Sequence, residues 1–257
     1  MQTRRFKLTI AYDGRPFEGW QSQPSGNTVQ DHLLKAARGI HAGVSTFHGS
    51  GRTDAGVHAE AQIAHFDVPD DSSMDETAWL RALNTKLPPT IRVMQSREVD
   101  RDFHAQFDAA GKTYRYELFT GPVLPPLLAG LSWHVRKTVD WPRLVEAANL
   151  FAGEHDFAAF AANRGDPNSN PDNTRRTIYE IGQEQDSDVI RLTLHGSGFL
   201  YKMVRLIVGG VVRCAQGSLE LEELQRLLNQ PECGEKSPLA APPDGLCLVR
   251  VDYPQSS

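Results

Sequence analysis

The chain has 257 residues, 40% of them hydrophobic and 23% charged, and a formal net charge of −5. This is the composition of an ordinary soluble globular protein, long enough to bury a sizeable core in one large domain or two small ones. The acidic balance excludes the overall basic charge that advertises a nucleic-acid partner, so such a partner would have to meet a local patch, for which Arg4-Arg5, Arg175-Arg176 and Lys202 to Arg205 are the candidates.

In chain order, Phe6, Leu8, Ile10 and Tyr12 alternate with Lys7, Thr9 and Ala11, the period-two pattern of a strand with one buried face. Asp13-Gly14 ends it, and Arg15 to Pro24 sets Phe17 and Trp20 among polar residues and glycine, which suits a folded-back loop. Thr28 opens an amphipathic helix with Val29, Leu33, Ala36 or Ala37, and Ile40 at helical spacing and Gly39 near its end. The stretch Gly49-Ser50-Gly51-Arg52-Thr53-Asp54-Ala55-Gly56-Val57-His58 then packs a cation, a carboxylate and three glycines into ten residues. A strand, Ala61 to Val68, follows at once, so the loop sits at a sheet end, where scaffolds hold reactive groups. Taken alone, Asp54 reads more readily as a turn residue satisfying its own backbone than as a reagent.

Ser73-Met74-Asp75-Glu76 has the form of a capping box for a helix with Trp79, Leu80 and Leu83 on its stripe. Pro88-Pro89 stops that helix and Ile91 to Val99 is a strand. A boundary near Asp100 to His104 divides the chain into an N-terminal α+β domain, 1–103, and a C-terminal α+β domain, 104–257. The second half opens with the strand Thr113 to Phe119, followed by the helix Trp141 to Phe151 capped by Asp140. Asn163 to Thr174, nearly free of apolar residues, predicts an exposed, mobile loop. Strands at Thr177 to Gln183 and Val189 to His195, an apolar helix Phe199 to Cys214, a helix Leu219 to Asn229 and a last strand Leu246 to Tyr253 complete the pattern.

Several chemistries lack their signatures. There is no Walker loop and no H-E-x-x-H among the nine histidines, and Ser197 between Gly196 and Gly198 lacks the G-x-S-x-G frame. Cys214, Cys233 and Cys247 suggest neither a disulfide framework nor a zinc site, and they fit a reducing cytoplasm. The start of the chain shows no apolar signal region, and the longest apolar run, Leu206 to Val212, is too short to span a bilayer. What remains is Asp54 with Arg52 beside it, and Arg205 within an apolar helix. A buried arginine requires a partner, and a carboxylate such as Asp54 is a natural one, although snorkelling to solvent or pairing with another acid would also satisfy it.

Five separated motifs resemble the tRNA pseudouridine synthase A family. They are Ala11-Tyr12-Asp13-Gly14 with Phe17 and Gly19-Trp20-Gln21, Gly51 to Ala59, Lys112 to Tyr116, Phe199-Leu200 with Met203-Val204-Arg205 and Ile207-Val208-Gly209, and Gly245-Leu246 with Leu248, Val251 and Tyr253. The resemblance implies an α+β fold of two ferredoxin-like or RRM-like domains forming one mixed, mainly antiparallel sheet, with helices on one side and a central cleft. It implies isomerisation of uridine to pseudouridine on the 3′ side of the tRNA anticodon stem-loop by a homodimer, without cofactor or metal. By the same resemblance Asp54 is the catalytic nucleophile, Tyr114 stacks on the uracil and is a candidate base at C5, Arg205 pairs with Asp54, and Arg52 holds the target nucleotide out of the helix. The residues are equally consistent with addition to the ribose, addition to the base, or a glycal route. A non-catalytic RNA-binding protein on the same scaffold is the alternative.

Overall fold

The computed structural model describes residues 3–163, 173–231 and 234–254. The chain divides into two compact units, Met1–Ala110 with Cys247–Ser257, and Gly111–Leu246. Most of the stretch 163–174 that reads as an exposed loop lies outside the described residues.

The first unit runs β1 (Thr3–Tyr12), α1 (Val29–Arg38), β2 (His48–Gly49), β3 (His58–Pro69), α2 (Glu76–Lys86) and β4 (Ile91–Val99). Its strands pair antiparallel in the order β4-β1-β3-β2, the ferredoxin-like arrangement of a βαββαβ chain. The alternation seen in the sequence sets the register. Phe6 opposes Phe66, and Leu8 opposes Ala64, so both strands turn one apolar face to the core. Trp79 of α2 closes that core, its ring 5.1 Å from Phe66 and 6.2 Å from Phe6, and Phe47 stacks on Phe66 at 4.7 Å. The opposite face carries Lys7, whose ammonium lies 4.0 Å from the Tyr253 ring centre, and a cluster of His48, His65 and His104.

Thr28 caps α1 as expected, its hydroxyl accepting from the Asp31 amide. The capping box at Ser73 to Glu76 does not form. Asp75 is the cap of α2, accepting from the Ala78 amide at 2.7 Å, while the Glu76 carboxylate accepts the Glu98 amide of β4. Asp competes with Ser at an N-cap and here stands directly before the first helical residue, so the helix starts two residues later than a Ser73 cap requires.

The second unit contains β5 (Gly111–Phe119), β6 (Trp133–His134), α3 (Trp141–Asn149), β7 (Gly153–Asp156), β8 (Arg175–Asp186), β9 (Val189–Gly196), α4 (Met203–Ala215) and α5 (Leu221–Asn229). The sheet order is β6-β5-β9-β8-β7, antiparallel except for β6 on β5. Tyr114, Tyr116 and Leu118 oppose Leu194, Leu192 and Ile190, giving one buried face. Asp140 caps α3 by accepting from the Arg143 amide. The apolar helix begins at Met203 rather than Phe199, because Lys202 takes a left-handed conformation, φ 60°, which a right-handed helix cannot include. The last strand, β10 (Leu246–Asp252), places Cys247 and Leu248 parallel to His58 and Ala59 of β3, and Cys247–Ser257 thereby joins the first unit. Each unit is thus α+β with a mainly antiparallel sheet, in agreement with the fold class read from the sequence. Among the described residues no helix is long and apolar enough to cross a membrane.

Two expectations follow from this packing. A Cβ at Gly209 of α4 would fall 2.0 Å from the Leu239 carbonyl oxygen. Alanine improves helix propensity by about 1 kcal/mol over glycine, but displacing a packed backbone costs roughly 1–3 kcal/mol. Gly209→Ala is therefore expected to lower the urea midpoint, and an unchanged or raised midpoint would contradict the close packing. Burial, with the nearby Arg5, His48 and His104 charges, pushes the His65 pKa down to about 4, and its Nδ1 accepts the Ala105 amide at 3.1 Å. A depressed His pKa means that the unfolded state binds more protons between the two values, so this stabilisation is complete above about pH 6.5 and fades as pH falls toward 4. Urea unfolding across that window should show a shallower loss for His65→Leu than for the wild type.

Candidate active site

Asp54 lies half-buried in the connection between β2 and β3, with Arg52 exposed two residues before it. The backbone around it is fixed from several directions. On the N-terminal side, buried Thr53 shares a 2.8 Å hydrogen bond with the Tyr12 hydroxyl at the end of β1, and its carbonyl accepts the Trp20 amide at 3.1 Å. Below it, the fully buried Gln62 accepts from the Ser50 hydroxyl at 2.7 Å and donates to the Gly51 carbonyl at 3.0 Å. On the C-terminal side, the Val57 amide donates to the Asp54 carbonyl at 3.1 Å, closing a turn, and the Gly56 amide donates to the Phe17 carbonyl at 3.4 Å. β3 begins at His58, whose Nδ1 accepts the Gly14 amide at 3.2 Å.

The folded-back loop after β1 therefore serves as the clamp on the Asp54 loop. Asp13 and Arg15 brace it from outside, and the Arg15 guanidinium hydrogen-bonded to Asp13 holds that carboxyl below the usual carboxylate range. Gly19 stands closest. With φ at 95°, it would direct a Cβ to 2.6 Å from the Thr53 carbonyl oxygen and 3.1 Å from the Asp54 carbonyl carbon. Neither the backbone angle nor the space admits a side chain. A half-buried carboxylate on a backbone so constrained is aimed, which is the requirement for a carboxylate nucleophile.

The other two candidates belong to the second unit. Tyr114 of β5 is 8% exposed, and Phe199 meets its ring edge-on at 5.1 Å and 84°. Arg205 is the third residue of α4 and half-buried among apolar neighbours. Its Nε donates to the Ala241 carbonyl at 2.7 Å while its own carbonyl accepts the Ala241 amide at 2.9 Å, so residue 241 clasps the arginine at both ends. Its charge also acts on Tyr116, whose phenol is raised by burial and partly relieved by Arg205. The sequence pointed to the need for a partner and missed this one, because a backbone carbonyl 36 residues away carries no side-chain signal.

The supports of the Asp54 loop were also missed as such. Tyr12, Gly14, Phe17, Gly19 and Trp20 stood out as a motif, but nothing in their spacing assigned them to the loop at Thr53 to Val57. The signal was a pair of glycines flanking aromatics at a strand end, the signature of a close backbone approach. Gly19→Ala is expected to destabilise the protein by about 2 kcal/mol or more and to raise hydrogen exchange at the Gly56 and Val57 amides. Exchange and stability equal to the wild type would refute the clamp.

Comparison with known proteins places the chain. A family model described as tRNA pseudouridine synthase matches residues 8–108 and 147–254. A protein of Akkermansia muciniphila named tRNA pseudouridine synthase A is 49% identical over 255 residues, covering 98% of this chain and 96% of that protein. Proteins of the same name from Geobacter sp. and Methylacidiphilum infernorum are 40% identical over 252 residues and 41% over 249, covering 98% and 97% of this chain and 100% and 95% of theirs. The matched segments take in the Asp54 loop, the clamp and the helix of Arg205, and the chain belongs to the tRNA pseudouridine synthase family.

Proposed function

We propose that this chain isomerises uridine to pseudouridine in tRNA, on the 3′ side of the anticodon stem-loop, with Asp54 as the nucleophile. The match of the family along nearly the whole chain carries the reading, and the clamped Asp54 loop supports it physically. In this reading the N1–C1′ bond breaks, the uracil turns in its pocket, and C5 bonds to C1′. The C5 proton leaves and N1 takes one up, so product and substrate are isomers. Tyr114 stacks on the uracil, with Phe199 fixing the ring from its edge, and is the candidate base at C5. Arg205 is the cation that pairs with Asp54, and an opposite charge within about 4–6 Å keeps a carboxylate ionised at neutral pH. Exposed Arg52 holds the target nucleotide out of the stack, a displacement that costs a few kcal/mol and that an aromatic platform offsets.

A homodimer in the cytoplasm, working without cofactor or metal, completes the proposal. It rests on the family resemblance and, for the compartment, on three cysteines whose number and spacing suggest no disulfide framework. The Asp54 loop belongs to the N-terminal domain, and Tyr114 and Arg205 belong to the C-terminal one.

Tritium release from C5-labelled uridine in unmodified tRNA tests the reaction. The wild-type protein is expected to release label, and Asp54→Asn to release none while binding tRNA within a few-fold of the wild type. Release by Asp54→Asn would remove Asp54 from the nucleophile's role. Tight binding with no release by the wild type would favour the non-catalytic alternative.

A further inference from the structure

The open face of the first unit's sheet carries four residues in lateral register. Arg97 of β4 opposes Lys7 of β1, Lys7 opposes His65 of β3, and His65 opposes His48 of β2. Directly opposed residues leave the same face, here the one away from the Phe6 and Leu8 core, and with strands about 4.8 Å apart the row spans roughly 15 Å. The segment after β4 lies across this row and is tied to it. Arg5 Nη1 donates to the Phe103 carbonyl at 2.8 Å, the Ala105 amide donates to His65 Nδ1 at 3.1 Å, and the Tyr253 hydroxyl donates to the Ala105 carbonyl at 2.6 Å. His104 then turns the chain, its Nδ1 accepting the Gln106 and Phe107 amides at 3.1 and 3.2 Å and its own amide donating to the Asp108 carboxylate at 2.8 Å.

That turn presents Phe107. The ring stacks on the His104 imidazole at 4.2 Å and 23°, and 77% of the residue is exposed, so its outer face meets solvent. Single exposed apolar side chains are common on protein surfaces. This one is backed by a second ring and stands on a turn anchored to the sheet, so the direction of its open face is fixed. Burial, ahead of the neighbouring charges, holds His65 and His104 below the usual histidine range, so both are neutral rings at pH 7.5.

The other end of the row is positive. The Lys7 ammonium lies 4.0 Å from the Tyr253 ring centre and 5.0 Å from that of Phe103, and burial, with Arg97 adding repulsion, lowers its amine. Arg97 is exposed and meets the neutral side-chain amide of Gln95. Among the described residues neither cation pairs with a carboxylate, whereas Arg5 on the same face is engaged by Asp67 at 2.7 Å. An open aromatic face beside such cations matches a nucleotide strand, which offers a base to stack and a phosphate to neutralise. A second copy of this chain docked about a two-fold axis on this face would set the same cations against each other.

We propose that this face of the first unit is an RNA contact surface, on which Phe107 stacks on an unpaired base of the tRNA and Arg97 meets a phosphate of the same strand, with Lys7 adding to its field. It rests on the reading that the chain acts on tRNA. In that reading the target uracil stacks on Tyr114, so the base on Phe107 is a different one. The contact positions the strand and tolerates any base, because every base has a π face.

The test is binding of an unmodified tRNA transcript, measured by fluorescence anisotropy across a salt series. Phe107→Ser is expected to lower the affinity roughly 5-fold or more at every salt concentration while keeping the wild-type slope of log affinity against log salt, and Phe107→Trp to bind as the wild type does. Arg97→Gln is expected to reduce the magnitude of that slope by about 0.7 to 0.9, the value of one phosphate contact. Wild-type affinity in Phe107→Ser, or a wild-type slope in Arg97→Gln, overturns the proposal. Affinity lost from Phe107→Ser together with a fall in molar mass by sedimentation would make the ring a contact between two copies of this chain and overturns it as well. Tritium release by the wild type is measured in parallel. Release with unchanged binding in Phe107→Ser overturns this surface alone, whereas binding that depends on Phe107 without release keeps the surface and removes the isomerase reading.

Discussion

A carboxylate is aimed only where its backbone cannot move, and for Asp54, the nucleophile proposed above, the constraint is the contact of Gly19 with the Thr53 to Asp54 peptide. The Gly19 Cα lies so close that a Cβ would fall 2.6 Å from the Thr53 oxygen, and the next residue, Trp20, donates its amide to that oxygen. The Tyr12 hydroxyl fixes the Thr53 side chain from the end of β1, where burial raises the phenol and keeps it a neutral hydrogen-bonding group. A buried hydrogen bond of this kind contributes modestly to net stability, but losing one partner strands the other at a cost of about 1–3 kcal/mol. The loop therefore gains rigidity from groups that never meet a substrate. β10 adds to this by pairing Cys247 and Leu248 with the first residues of β3, immediately after the loop.

The charge distribution explains how a protein of net charge −5 can be read as an RNA enzyme. Many acids are engaged with arginines, as in Arg4 with Glu98, Arg5 with Asp67, Arg143 with Glu220 and Arg226 with Glu235. Apart from the part-buried Arg5–Asp67 pair, these lie toward the surface and are worth about 0–1 kcal/mol each, so their effect on the fold is small. Their effect on the field is larger, because a paired arginine offers little to a phosphate. Among the described residues Arg176 is hydrogen-bonded to neutral oxygens, of Asn173 and Arg175, and the basic pair Arg175-Arg176 seen in the sequence divides accordingly. Arg175 lies near Glu154 at 3.5 Å, whereas the Arg176 guanidinium reaches the Asn173 carbonyl and side-chain oxygens.

The strands and helices were legible because their causes are local. Alternation in Phe6 to Tyr12 and in Val189 to His195 reports a single buried face whatever covers it, and Thr28 and Asp140 cap their helices through amides three residues on. Where local signals competed, the sequence misled. Asp75 outcompeted Ser73 as a cap, and Lys202, in a left-handed conformation that no pattern announces, delayed α4 by four residues. β2, β6 and β7 have four residues or fewer, too short for any periodicity to register.

The sequence by itself determined the class of fold and, through five motifs, the family and the residues proposed for its chemistry. Those follow from short-range spacing and from residue types that are written directly in the chain. Tertiary structure alone decided that residues 13 to 20 clamp the Asp54 loop, that Arg205 is held by the Ala241 carbonyl, that Cys247–Ser257 joins the first unit, and that Arg97, Lys7, His65 and His48 form one row across a sheet. Each depends on segments tens of residues apart meeting through backbone groups or missing side chains. A carbonyl oxygen and an absent Cβ look the same at every position in a sequence, and only the folded chain shows which of them are in contact.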